Sequence, residues 1–300
     1  MFHLIFKTAT HHQSMPLRGG FLGFIRFCLL AVFMVAAMPS HAAQDIATVR
    51  LYALDCGHFE FKDMAVLSDT GEYDGKPGKF ANPCFLIRHP KGVLLWDAGL
   101  GDKIADSPGG IELGGGSHVA VPQTLGNQLK ALSLTPADVS HVAFSHFHFD
   151  HTGNANAFGS STWILNNAEL NWALAHQTPL VNRDSFSAYK TAKTQMIDAD
   201  HDVFGDGSVR ILAAPGHTPG SQVLAIVLKH SGTVILSGDL YHARASRKHH
   251  LVPTVNVERA DTLASMDRIE RIVKNTKARL VIQHDPDDFK SLPQFPAFLD

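Results

Sequence analysis

Ser145-His146-Phe147-His148-Phe149-Asp150-His151 follows directly on an apolar run, Val142-Ala143-Phe144, and leads into the turn Thr152-Gly153-Asn154. Read as a strand ending in a turn, this stretch sends His146 and His148 the same way, because side chains two apart on an extended chain share a face. Asp150 continues that phase, and His151 begins the turn. Four groups with nitrogen and carboxylate oxygen donors can then converge on one small volume, a set suited to zinc or a similar metal. Phe147 and Phe149 alternate with these groups on the opposite face and are expected in the core.

Three more metal-competent residues stand at the ends of apolar runs further along. His217 lies in Pro215-Gly216-His217-Thr218-Pro219-Gly220, after Val209–Ala213; Asp239 lies in Ser237-Gly238-Asp239; His284 follows Leu280-Val281-Ile282-Gln283. Strand ends are where an α/β scaffold gathers its active-site groups. No Gly-x-Ser-x-Gly elbow, phosphate-binding loop or dinucleotide fingerprint accompanies them, so neither a serine nucleophile nor a nucleotide is implied.

The whole chain has 300 residues, 45% hydrophobic and 18% charged, with a net charge of −2. This is a globular composition; it excludes a disordered, collagen-like or polytopic membrane chain and offers no basic footprint for nucleic acid. Residues 27–38 form an uncharged apolar run too short to span a membrane, preceded by Arg18 and Arg26 and followed by Ser40-His41-Ala42. Residues 1–42 therefore read as a secretory signal peptide cut after Ala42, with Met15 as an alternative start. Its removal takes Lys7, Arg18 and Arg26 from the 26 basic residues and none from the 28 acidic ones, leaving −5. The remaining chain is expected in the periplasm or outside the cell, with no stable membrane span; a homodimer is compatible with such a domain. It keeps two cysteines, Cys56 and Cys84, which form either a disulfide or a buried pair of thiols.

From residue 43 onward, strands are expected at Ala47–Leu54, Pro83–His89, Val93–Asp97, Val142–Ser145, Ser161–Leu165, Val209–Ala213, Val223–Leu228, Thr233–Ser237 and Arg279–Gln283. Helices are expected at Pro122–Leu132, Asn167–His176 and Arg259–Asn275; in the last, Leu263, Met266, Ile269, Ile272 and Val273 share one face. The glycines at 109–110 and 114–116 suggest a mobile loop. Without a long linker, residues 43–300 read as a single α/β domain with mixed sheets.

His146-x-His148-x-Asp150-His151, followed by His217, Asp239 and His284, resembles the ligand pattern of the metallo-β-lactamase superfamily. The resemblance extends over nearly all of residues 43–300, including Leu95-Trp96-Asp97-Ala98-Gly99. It implies an αββα sandwich of two mixed β-sheets flanked by helices, with two divalent metals at one edge. By that resemblance His146, His148 and His217 hold the first metal, Asp150, His151 and His284 the second, and Asp239 bridges them. Zinc is the expected ion, with manganese, iron or cobalt also accommodated. Two such metals would share a bridging hydroxide that is nucleophilic at neutral pH, so hydrolysis is the expected reaction.

Within the superfamily, Asp239 disfavours the β-lactamase patterns, and the chain lacks room for the inserted domain of RNA-processing members. About sixteen residues follow His284, too few for the C-terminal helical region of a glyoxalase II-like thioesterase. The N-acyl-homoserine lactonases are the most similar group, through Asp55-Cys56-Gly57, Asn82-Pro83-Cys84-Phe85-Leu86-Ile87 and the single-domain length. They imply a small acylated lactone as substrate, opened as a quorum-sensing signal. Phosphotriesters, aryl esters or β-lactams are the alternative. Several lactonases use a tyrosine three residues after the bridging aspartate. Here Tyr241 stands two residues after Asp239 and is the expected carbonyl-polarising group beside Asp150, with His242 as its substitute. An acyl chain requires an apolar groove, for which Phe59, Phe61, Met64 and Phe80 are available between the first two strands.

Overall fold

Strands buried on both faces read as continuous apolar runs, and the runs of this sequence build two such sheets. The computed structural model describes residues 48–300; the expected signal peptide lies outside the described residues. The first sheet contains β1 (Arg50–Phe61), β2 (Gly78–His89), β3 (Gly92–Trp96), β4 (Ile111–Leu113), β5 (Ser117–Ala120), β6 (His141–Ala143), β7 (Thr162–Asn166) and β8 (Lys193–Ile197). The second contains β9 (His201–Asp202), β10 (Val209–Ala213), β11 (Gln222–Leu228), β12 (Gly232–Leu236) and β13 (Arg279–Val281). Their spatial orders are β4-β5-β1-β2-β3-β6-β7-β8 and β13-β12-β11-β10-β9. Both are mixed: β3, β6, β7 and β8 run parallel in the first and β12 pairs parallel with β13 in the second, while the other pairs are antiparallel.

The helices are α1 (Leu125–Ala131), α2 (Phe149–Thr152), α3 (Asn167–Ala175), α4 (Arg244–His249), α5 (Arg259–Thr276) and α6 (Pro286–Lys290). Alternation along the strands sorts the core into layers. Phe85, Ile87 and Trp96 of the first sheet meet Ile211, Leu224 and Val234 of the second. Leu86, Leu95 and Trp163 turn the other way, onto Leu129 of α1 and Leu170 of α3. Leu212, Val223 and Ile235 pack against Met266 and Ile269 of α5. The result is the expected αββα sandwich. None of the helices among the described residues is long and apolar enough to cross a membrane.

Two expectations are corrected. β1 does not stop at Leu54: its register shifts between Asp55 and His58, and it continues to Phe61. Gly57 makes this bulge possible, with φ of +124° and a missing Cβ that would stand 2.5 Å from Leu100 Cδ1. The glycines at 110–116 belong to a hairpin of β4 and β5, whose Val119 pairs with Phe59 and extends the first sheet. Cys56 and Cys84, left open by the sequence, form a disulfide between β1 and β2 with Cα atoms 5.6 Å apart.

Candidate metal centre

The decisive stretch is shorter as a strand than expected. β6 ends at Ala143; His146 and His148 lie on the extended segment beyond it, while Asp150 and His151 fall in the first turn of α2. His217 lies in the turn after β10, where Gly216 is required: a Cβ there would stand 2.2 Å from the Thr262 amide nitrogen of α5. Asp239 follows β12 in a short 3₁₀ turn over Gly238–Leu240, and His284 follows β13. All seven residues converge at one edge of the sandwich and are buried or nearly so.

They form two groups. In the first, His217 Nε2 lies 3.1 Å from His148 Nδ1 and 3.3 Å from Asp239 Oδ2, and His146 Nε2 lies 3.6 Å from the same oxygen. In the second, His284 Nε2 is 3.3 Å from His151 Nε2; the two stand 3.0 and 3.2 Å from Asp239 Oδ1 and 3.6 and 3.4 Å from Asp150 Oδ2. Asp239 thus presents one oxygen to each group. A tetrahedron with arms of about 2.0–2.1 Å has edges of about 3.3–3.4 Å, so each group fits a single ion. His146 Nε2 and Asp239 Oδ1 are buried without a hydrogen-bond partner, a cost that an ion would remove.

The far nitrogens are held from outside. His151 Nδ1 meets Asp97 Oδ2 at 2.9 Å, His284 Nδ1 meets the Ala81 carbonyl at 2.8 Å, and His146 Nδ1 meets Ser145 Oγ at 3.1 Å. Each bond turns the opposite, lone-pair nitrogen inward. Burial pushes the His146 and His148 pKa values well below the ordinary one, favouring the neutral imidazole that binds metal. Burial opposes charge on Asp239 also, yet His284, His151 and His146 hold its carboxyl well below the usual range. The ion pairs of Asp97, Asp150 and Asp239 among the described residues are all with histidines, so the centre is rich in negative charge and suited to cations.

Asp97 was not singled out in the sequence as a site residue. It follows β3 with φ of +60° and accepts from the Ser145 amide at 2.7 Å, the Ser145 hydroxyl at 3.0 Å and the Gln283 side chain at 2.8 Å, besides meeting His151. The signal was present, since Asp97 follows an apolar strand just as Asp239 does.

The expectation for Tyr241 is corrected. Its ring is fully buried with Leu240, Met266 and Ile269, and its hydroxyl donates to Glu270 Oε1 at 3.1 Å, away from the metal groups. His242 is the residue that reaches the site, with Nε2 3.1 Å from Asp239 Oδ2. A groove of about 510 Å³ opens on both groups; Phe59, Phe61, Phe80, Leu113 and Leu180 supply apolar wall, and His242 lines it with Asp150, Asp239 and His284. Phe59 and Phe61 lie on β1 and Phe80 on β2, and Met64 packs against the same cluster. Phe147 is in the core, stacked on Phe186 at 4.7 Å, but Phe149 lines the groove, because the chain has turned into α2 before it.

The N-acyl homoserine lactonase AttM of Azorhizobium caulinodans is 30% identical over 268 residues, 84% of this chain and 99% of that protein. An N-acyl homoserine lactonase of Bacillus thuringiensis is 28% identical over 234 residues, 74% of this chain and 90% of that protein. A solved N-acyl homoserine lactone hydrolase, with the product N-hexanoyl-L-homoserine at its catalytic metal centre, superposes with a TM-score of 0.74 at 25% identity, covering 84% of this chain and all of that one. Residues 77–284 match the metallo-beta-lactamase superfamily, from the second strand to the last histidine of the centre. With its sandwich fold and its two His/Asp groups at one sheet edge, the chain belongs to the metallo-β-lactamase superfamily.

Proposed function

We propose that this protein is a two-metal hydrolase that opens the lactone ring of N-acyl-homoserine lactones. The observation that carries the reading is the apolar groove leading directly onto the two His/Asp groups, a site that takes an acyl chain and a polar ring together. Likeness to lactonases over most of the chain supports the same substrate class.

His146, His148 and His217 would hold one ion and Asp150, His151 and His284 the other, with Asp239 between them. When bound, the ion pair supplies a nucleophile at neutral pH and polarises the lactone carbonyl. Zinc suits these donors best, and manganese, iron or cobalt fits the same set. Phe59, Phe61 and Phe80 take the acyl chain out of water, a gain of about 0.8 kcal/mol for each methylene buried. His242 would offer a ring nitrogen to the carbonyl oxygen, the role expected of Tyr241 from the lactonase resemblance. Asp150 borders both the second group and the groove, and its carboxylate would take the proton of the attacking water and pass it to the alkoxide released when the ring C–O bond breaks.

The leader-like residues 1–42 and the Cys56–Cys84 disulfide support action outside the cytoplasm, where disulfides persist. The test is acid release from short- and long-chain acyl-homoserine lactones by purified protein, before chelation, after it and after zinc is restored. Activity that survives chelation, or better turnover of a phosphotriester, aryl ester or β-lactam by kcat/KM, refutes the reading.

A further inference from the structure

Glu169 is a buried carboxylate, 3% exposed, to which the proposed chemistry gives no task. It lies in the first turn of α3, whose N-cap Asn166 accepts from the Glu169 amide at 3.2 Å. Its Oε1 accepts from the Phe147 amide at 2.8 Å, and its Oε2 accepts from the Gly220 amide at 3.0 Å. Phe147 separates His146 from His148, and Gly220 closes the turn that carries His217. One carboxylate therefore ties together the two segments that supply every histidine of the first group. The fit is close: a Cβ on Gly220 would stand 2.4 Å from Asn166 Oδ1 and 2.6 Å from Glu169 Cβ. The second group is held by other means, His151 by Asp97 and His284 by Ala81.

We infer that Glu169 is a positioning residue for the first metal ion alone, clamping the His146–His148 segment to the His217 turn. The inference rests on the two-metal reading above. Such supporting bonds are worth about 10–100-fold in metal affinity. Glu169→Gln keeps an acceptor for Phe147 but turns an amide N–H₂ toward the Gly220 N–H; Glu169→Ala removes both acceptors.

The test measures zinc affinity of metal-free protein by competition with a chromogenic chelator, in two backgrounds. In His284→Ala, which disables the second group, Glu169→Gln should weaken the remaining zinc about 10–100-fold and Glu169→Ala further. In His217→Ala, which disables the first, both should leave the affinity within about twofold. Equal loss in both backgrounds, or none in the first, overturns the inference. If the Glu169 variants fail to fold, Gly220→Ala decides, since it forces the turn away from α3 and should give the same one-sided loss. Failure of the parent protein to bind two zinc ions would instead count against the two-metal reading itself.

Discussion

Exchanging the roles of Tyr241 and His242 has a consequence that two substitutions separate. Tyr241→Phe removes one hydrogen bond, the 3.1 Å contact to Glu270, while Glu270 keeps its two bonds to Arg247 at 2.7 and 3.0 Å. No acceptor is left bare, so the cost is about 0.5–1.5 kcal/mol of stability. With the ring in the core beside α5, kcat/KM should stay within about threefold of the parent. His242→Phe keeps a flat ring next to Phe80 but loses both nitrogens, including the one 3.1 Å from Asp239. Loss of one donor aimed at a developing oxyanion costs about 2.7–4 kcal/mol, or about 10²–10³ in kcat. His242→Asn, which retains an N–H, should recover part of that loss. Initial rates of acid release, read beside zinc content and thermal midpoint, make the comparison. The reasoning fails if His242→Phe turns over at the parental rate, or if Tyr241→Phe loses a hundredfold while remaining fully folded and metal-loaded.

Asp239→Ala should abolish turnover and lower metal content in both groups, because each uses one of its oxygens; parental activity with full metal content would refute the bridging geometry. The Cys56→Ala/Cys84→Ala double variant opens a loop of 28 residues, which chain entropy values at about 3.5 kcal/mol. For a domain of this size that is a fall of about 7–14 °C in Tm by calorimetry, and an unchanged midpoint would count against the bond. Burial opposes charge on Asp206, yet the Ser208 hydroxyl and amide, with His89 and Lys91, hold its pKa at about 2, below the ordinary 3.8. A depressed carboxyl stabilises the fold above its unfolded value and loses that contribution as pH falls through the folded one. After discounting for solvent, Asp206→Asn should cost about 1 kcal/mol at neutral pH, with the difference closing between about pH 4 and pH 2. Denaturant titrations at several pH values check this, and a pH-independent gap would contradict it.

Much of this was legible because buried strands declare themselves. β10 has the expected limits, and the other eight expected strands are present with ends shifted by a few residues, most at β1 and β2. The hairpin of β4 and β5 did not show, because strands of three and four residues around three glycines are too short for apolar alternation to register, and their pairing with β1 supplies what the sequence lacks. Tyr241 was misplaced for a definite geometric reason. The lactonase resemblance points to a tyrosine three residues after the bridging aspartate, but here that position is His242, and a 3₁₀ turn over residues 238–240 replaces the extended chain on which residues 239 and 241 would share a face. His242 reaches Asp239, and Tyr241 turns into the core. Phe149 entered the groove by the same kind of change, from strand period to helix period at α2.

The residues hardest to read were those that act through others. A ligand pattern is local, since His146, His148, Asp150 and His151 lie within six residues, whereas the bonds that aim them cross the fold. Asp97 reaches Ser145 and Gln283 from a strand in the middle of the first sheet, and Glu169 reaches Phe147 and Gly220 from the start of α3. The two supports differ in reach. Asp97 holds Ser145, whose hydroxyl also contacts His146, and meets His151 directly, so it touches both groups. Glu169 serves only the segments of the first group. Asp97 therefore links the two groups, while Glu169 holds the segments of one of them. Because His148 and His217 also line the groove, a change at Glu169 reaches the groove wall through the first group, whereas a change at Asp97 reaches both groups at once.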